Sequence, residues 1–228
     1  MVVGNGLLAK TFAHYKNNNE VVVFASGVSN SLETKEAAFR REFELLKKTI
    51  TKYPALKLVY FSTLSIEDES VKGRAYIKHK LQLENYIKKN VSNYLIGRVS
   101  NVVGPIGNTH TIINYLVNAI KNGDQLDVWK QAERNIIDKE DVRFIIDELL
   151  KKKTKNGTVN IALSESLLVT DIVSQIELYL QKKANANFIN KGSKLTIDVS
   201  EISEEIIILE RKHGKGINYL DHLLKKYY

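Results

Sequence analysis

Cysteine is absent from this 228-residue chain. Without thiols there is no disulfide and no thiolate metal site, and a reducing cytoplasm is the natural setting. Histidine is sparse. His14, His79, His110, His213 and His222 are scattered without ligand spacing, so no metal is expected. No apolar run approaches the ~20 residues that cross a bilayer, which leaves no expected membrane partner. The N-terminus has no charged segment leading into an apolar one, so a signal peptide is not expected. The two prolines, Pro54 and Pro105, stand at breaks between patterned segments. Repeats, low-complexity tracts and disordered linkers are missing too.

What remains is a hydrophobic fraction of 43%, suited to a soluble globular core. The length allows one large domain or two small lobes. The formal net charge is +8. Such a balance raises nucleic-acid binding as a possibility. The lysines, however, fall in pairs at expected helix ends (Lys47-Lys48, Lys88-Lys89, Lys182-Lys183) and in the run Lys151 to Lys153. They are not interleaved with aromatics, as a stacking platform for single strands requires. They read as a solvated surface with no nucleic-acid partner. A basic surface also suits an anionic substrate such as a nucleotide-linked phosphate.

The most informative stretch runs from Leu58 to Lys80. A buried strand ends in Ser62-Thr63, and a helix after it carries Tyr76 and Lys80. Residues four apart share a helix face, so phenol and ammonium can enter one site. A phenol titrates near ~10, and a close ammonium favours its ionised form. With hydroxyls at the strand end, the set suits proton transfer to or from an alcohol or ketone. The Tyr-x-x-x-Lys spacing also occurs at Tyr53/Lys57 and Tyr179/Lys183. Tyr53 precedes Pro54 in a connection, and Tyr179 lies on a helix whose lysines read as solvated. Only Tyr76/Lys80 follows a strand ending in Ser-Thr.

From the start, Met1 to Val3 reads as a minimal strand, followed by Gly4-Asn-Gly-Leu-Leu-Ala9 and a helix to about Lys16. In that context Gly4 makes a tight turn, Gly6 admits a pyrophosphate to the backbone, and Ala9 lets helix and strand pack. An ordinary glycine turn is the alternative. The helix start offers unpaired N–H groups to an anion. Further strands are expected at 20–26, 58–63, 95–101, 126–129, 134–138 and 159–162, with an edge strand at 194–199. Helices are expected at 33–51, 76–90, 111–122, 140–152, 169–183 and, as a closing element, 216–228. Gly104-Pro105 and Gly107 break the pattern. Strands alternating with helices mean βαβ units and a parallel sheet, an α/β fold.

Taken in order, Gly4-x-Gly-x-x-Ala9, Phe24-Ala-Ser-Gly27, Tyr60-Phe-Ser-Thr63, Tyr76-x-x-x-Lys80, Arg98-Val-Ser-Asn-Val-Val-Gly-Pro105 and Arg134-Asn-Ile-Ile-Asp-x-x-Asp141-Val form a series. The chain resembles the extended short-chain dehydrogenase/reductases, the NAD-dependent epimerase/dehydratase group that modifies nucleotide sugars. The resemblance is specific over residues 1–142 and looser beyond. It implies a Rossmann-like doubly wound parallel sheet with a small C-terminal substrate lobe. Residues 1–104 with 136–165 would form the cofactor lobe, and 105–135 with 166–228 the substrate lobe.

The resemblance also implies roles. Tyr76 would be the general acid/base, and Lys80 would hold the nicotinamide ribose and lower the tyrosine's pKa. Thr63, with Ser62 as the alternative, would hydrogen-bond the reacting oxygen. Gly4, Asn5, Gly6, Leu7, Leu8, Ala25, Ser26, Gly27 and Lys80 would line NAD or NADP. Asn101, Arg134 and the segment after Pro105 would face the nucleotide-sugar substrate; loop anchoring is the other reading of Asn101 and Arg134. Family members commonly dimerise through the helices matching 33–51 and 76–90, so a homodimer is expected. The implied activity is an epimerase, dehydratase or reductase of surface polysaccharide synthesis. The chain departs from the family's usual order by lacking the second and third strands. Only the turn 17–20 separates the glycine-loop helix from the next strand, and the acidic or basic residue that reads the adenosine ribose is missing with them. A scaffold or partner subunit is therefore the alternative.

Overall fold

The computed structural model describes residues 1–68, 71–105, 111–153 and 156–228. Gly107, His110 and the remainder of 106–110, expected on the substrate side, lie outside the described residues. In chain order come β1 (Val2–Val3), α1 (Leu7–Thr11), β2 (Val21–Phe24), α2 (Glu36–Lys52), β3 (Lys57–Thr63), α3 (Ala75–Asn90) and β4 (Tyr94–Val99). Then follow β5 (Asn101–Val103), α4 (Ile112–Asn122), β6 (Gln125–Trp129), β7 (Glu133–Arg134), β8 (Ile136–Asp138), α5 (Lys139–Lys151) and β9 (Gly157–Ile161). The chain continues through β10 (Leu167–Leu168), α6 (Val169–Leu180), β11 (Asn185–Ile189), α7 (Ser203–His213) and α8 (Gly216–Tyr227). These elements group into two compact units, Met1–Val99 with Val142–Ile161 and Ser100–Asp141 with Ala162–Tyr228.

The first unit holds a parallel five-stranded sheet in the order β1-β2-β3-β4-β9. Val21, Val22, Val23 and Phe24 are all buried, the unbroken apolar run of a strand covered on both faces. On one face Val22, Phe24, Leu58, Tyr60 and Ile96 pack with Leu46 of α2 and Leu83 and Ile87 of α3. On the other, Phe61 meets Phe12, ring centroids 5.2 Å apart. Gly97 makes room there: a Cβ on it would lie 3.3 Å from Ile161 and 3.6 Å from Ile146 of α5. Tyr15 donates a 2.9 Å hydrogen bond to Asp147 of α5, so α5 and the segment after α1 share this face. Helices on both faces of a parallel sheet make the expected α/β architecture.

The direct link from α1 to β2 leaves a mark on the connections. The chain steps from β1 to β2 to β3 in one direction across the sheet. Yet the α1 segment crosses on the Phe61 face and α2 on the Tyr60 face. Two parallel connections advancing the same way on opposite faces have opposite hands, and one must break the right-handed rule. Strands between β1 and β2, returning the other way, would remove the conflict.

In the second unit β5 pairs with β8, β7 with β10, and β6 with β11. Asn135 is fully buried; its amide donates to the carbonyls of Leu163 (2.9 Å) and Glu165 (3.1 Å). These bonds place β8 and residues 162–165 in this unit, whereas the sequence division put them in the cofactor lobe.

Several expected elements differ. The helix read to Lys16 ends at Thr11 and gives way to a 3-10 turn over Ala13–Tyr15. The strand read over 95–101 breaks at Ser100, dividing β4 from β5. Residues 194–199 form no strand. Leu195, Ile197 and Val199 alternate correctly, but the Leu195 N–H is spent on the Glu133 side chain (3.1 Å). The partner of β6 is β11, whose polar Asn-Ala-Asn start hid it. Helix α7 was not anticipated because Ile206 to Leu209 is a continuous apolar run without helical period; Ile207 and Ile208 remain exposed.

Candidate active site

The open carboxyl end of the parallel sheet in the first unit brings together the glycine turn, the end of β2 and the start of α3. Ligands of such sheets bind at the carboxyl ends of strands. Gly4 has φ +125°, and a Cβ there would meet the Ala25 carbonyl oxygen at 2.3 Å. Only glycine lets the two strand ends approach so closely. Gly6 caps α1, with nothing within 4 Å of the position of a Cβ. Asn5 and Gly27 are exposed, and Leu7, Leu8, Ala25 and Ser26 are half-buried.

Tyr76 and Lys80 occupy one buried face at the start of α3. Tyr76 packs with Val28, Ile66 and Ile77. The Lys80 ammonium lies 5.8 Å from the centre of the Tyr76 ring and 5.4 Å from that of Tyr60. It donates 2.8 Å to Glu42 Oε1 and 3.3 Å to the Tyr60 hydroxyl oxygen. Tyr60 in turn donates 3.1 Å to the same Glu42 oxygen. Glu42 Oε2 accepts the Val28 N–H at 2.8 Å and faces His79 Nε2 at 3.1 Å. Gly27 borders this group, since a Cβ on it would stand 2.8 Å from the ammonium and 3.0 Å from Glu42.

The electrostatics follow from the contacts. Burial alone would raise the Glu42 carboxyl; the Lys80 charge and the hydrogen bonds from His79, Lys80 and Val28 outweigh it and hold it at about 2. The Tyr60 phenol moves far up, chiefly from burial and then from the Glu42 charge beside it. Tyr60 is thus a neutral donor.

The strand-end hydroxyls part company. Ser62 donates 2.7 Å to Glu84 Oε1, a carboxylate also gripped by Arg98 through Nε (3.0 Å) and Nη2 (2.9 Å). Thr63 caps the following 3-10 turn, accepting the Ser65 N–H at 3.2 Å, and among the described residues its hydroxyl proton has no acceptor. In the second unit the Asn101 amide donates 2.8 Å to the Asn135 carbonyl, tying β5 to β8. Arg134 Nη1 donates 2.7 Å to the Glu133 carbonyl.

Glu42 and His79 were missed in the sequence. A signal existed for the first. Phe39, Glu42, Leu46 and Thr49 recur at three- and four-residue steps, placing a carboxylate on the buried stripe of α2. His79 had only its place beside Lys80.

Sheet and glycine turn define a Rossmann-like α/β class. The model of the NAD dependent epimerase/dehydratase family matches residues 5–162, and the chain belongs to that family. Among solved structures it is similar to RMD from Pseudomonas aeruginosa complexed with NADPH: TM-score 0.73, 14% identity, 98% of this chain and 96% of that one. It is similar to UDP-N-acetylglucosamine 4-epimerase from Methanobrevibacter ruminantium M1 in complex with UDP-N-acetylmuramic acid: TM-score 0.67, 15% identity, 94% and 78% covered. It is also similar to dTDP-glucose 4,6-dehydratase from Bacillus anthracis in complex with NAD: TM-score 0.64, 17% identity, 96% and 77% covered. These likenesses show the fold. No curated protein matches the sequence.

The family is NAD-dependent. The residues present fit the pyrophosphate and nicotinamide half of such a cofactor. Gly6 leaves open space at the start of α1, with nothing within 4 Å of a Cβ placed there, and the Lys80 ammonium has three donors, of which Glu42 and Tyr60 take two among the described residues. On the adenosine side the turn at 17–19 leads directly into β2. Among the described residues no second strand offers an acid or base to the ribose.

Proposed function

We propose that this chain is an NAD(P)-dependent epimerase, dehydratase or reductase acting on a nucleotide-activated sugar, in the building of a surface polysaccharide. The observation that carries the reading is the Tyr76–Lys80 pair at the carboxyl end of the sheet, its ammonium buried and held in place. The nicotinamide ring, when bound, supplies the hydride acceptor or donor. Tyr76 takes the hydroxyl proton at its phenolic oxygen as the sugar C–O becomes a carbonyl, and returns it in the reverse direction. Thr63 donates to the reacting oxygen. Gly4 to Leu8 and Ala25 to Gly27 line the cofactor, and Asn101 and Arg134 are assigned to the substrate side. Replacing Tyr76 by Phe is expected to lower turnover about 10²–10⁴-fold with the fold intact. Turnover surviving in that variant removes Tyr76 from the mechanism.

A partner-subunit role is the second reading. It is favoured by the sheet edge at β1, where among the described residues no strand stands to read an adenosine ribose. Under either reading the chain forms a homodimer through α2 and α3. The outward side of α2 carries a shallow groove lined by Glu36, Ala37, Arg40, Arg41 and Glu44, with charges of both signs that an antiparallel copy can match. Light scattering at micromolar concentration is expected to give twice the chain mass, and a monomer mass counts against the dimer.

A further inference from the structure

The Glu42 carboxylate is saturated. Lys80 and Tyr60 donate to one oxygen; Val28 N–H and His79 occupy the other. All of this is buried, with the Glu42 side chain 0% and the Lys80 side chain 3% exposed. A buried ion pair is an expensive way to fill a core, because apolar residues of like volume do as well or better. The surroundings are shaped around the pair: Gly27 lacks the side chain that would collide with it, and the ammonium sits between the rings of Tyr60 and Tyr76. The lysine, unlike the glutamate, is not saturated, keeping one N–H among the described residues.

Resting on the reading of Tyr76 and Lys80 as the reacting pair, we propose that Glu42 is their positioning residue, fixing the ammonium against Gly27 and balancing its charge. The charged and titratable groups facing the pair are His79 and Tyr76 from α3, Tyr60 from β3 and, next out, Glu84.

The test is the rate at which an amine-acylating reagent modifies Lys80 as pH is raised, read by mass spectrometry of its peptide. It is run on the wild-type chain, Glu42→Gln and Glu42→Asp. An ammonium buried without its carboxylate gives up its proton more readily. Glu42→Gln is expected to speed modification of Lys80 at pH 8 by about tenfold or more, the equivalent of a displacement of one pH unit. Glu42→Asp keeps the charge and is expected to stay near the wild-type rate. A natively folded Glu42→Gln variant with the wild-type profile overturns the proposal. If that variant does not fold, Gly27→Ala keeps Glu42 but pushes a Cβ against the ammonium. It is expected to accelerate modification, and an unchanged rate overturns the proposal equally. No step uses NAD or substrate. A wild-type chain that binds no nicotinamide cofactor by calorimetry would overturn the enzyme reading, while the modification rates still decide the role of Glu42.

Discussion

Replacing Glu42 by alanine is expected to destabilise the first unit by about 3–5 kcal/mol, the range seen when one partner of a buried ion pair is removed. The loss is large because several groups suffer together. Lys80 is left as an unpaired buried cation, and the Val28 N–H, the Tyr60 hydroxyl and His79 lose their acceptor. Removing Lys80 as well relieves the worst of this. The double variant Glu42→Ala/Lys80→Met is expected to be more stable than Glu42→Ala alone, and urea titration of Glu42→Ala, Lys80→Met and the double measures the coupling. Losses in the two single variants that add up to the loss in the double would mean that the ion pair is not what holds this region.

The same carboxylate gives a pH signature. Its folded value of about 2 lies below the 4.5 of an unperturbed glutamate. The unfolded chain therefore binds more protons between those values, and stability rises with pH across that window. The contribution is complete above 4.5, lost as pH falls through 2, and worth about 3 kcal/mol. Wild type and Glu42→Ala should converge in stability as the solution is acidified.

Most of the sheet was legible because a parallel strand buried on both faces reads as an apolar run bounded by polar turns. Val21 to Phe24 and Leu58 to Thr63 are such runs. The helices between them carry apolar stripes of the right period. Where no such signal exists the reading failed. Strand β11 is half-exposed and begins Asn-Ala-Asn, while the well-patterned segment at 194–199 has no strand beside it. The site was legible as far as local spacing reaches. Four-residue spacing joined Tyr76 to Lys80, but nothing local joined Lys80 to a carboxylate 38 residues away. Ser62 and Thr63 look equivalent in sequence. They differ because alternate strand residues face opposite sides, which turns Ser62 toward α3 and Glu84. Asn101 was assigned to the substrate side through the resemblance alone; its side chain donates to the Asn135 carbonyl, a contact 34 residues distant that no local spacing announces.

Replacing Asp141 by asparagine is expected to shift stability in the opposite sense to Glu42→Ala. Asp141 stands in the first turn of α5, where it accepts a 2.5 Å hydrogen bond from the Tyr219 hydroxyl of α8. Burial raises its carboxyl from 3.8 to about 6, with help from neighbouring Asp138, against the Tyr219 bond and the charges of Lys226 and Lys212. A folded value above the unfolded one means that the folded chain binds more protons between 3.8 and 6. That contribution is complete below 3.8 and lost as pH rises through 6, a change of about 3 kcal/mol. Asparagine resembles the protonated acid in shape and can still accept from Tyr219, but it has no charge to bury. Relative to wild type, the variant should therefore gain about 3 kcal/mol between pH 4 and pH 7. His213, 3.8 Å from Asp141, works the other way. Burial and then the charge of His222 hold its imidazole below 6.5, so its own contribution grows with pH. Comparing variant with wild type at each pH removes that background as far as His213 titrates alike in both. Urea midpoints measured across the range decide the matter: curves that run parallel from pH 4 to pH 7 would show that Asp141 carries no buried charge in the folded chain.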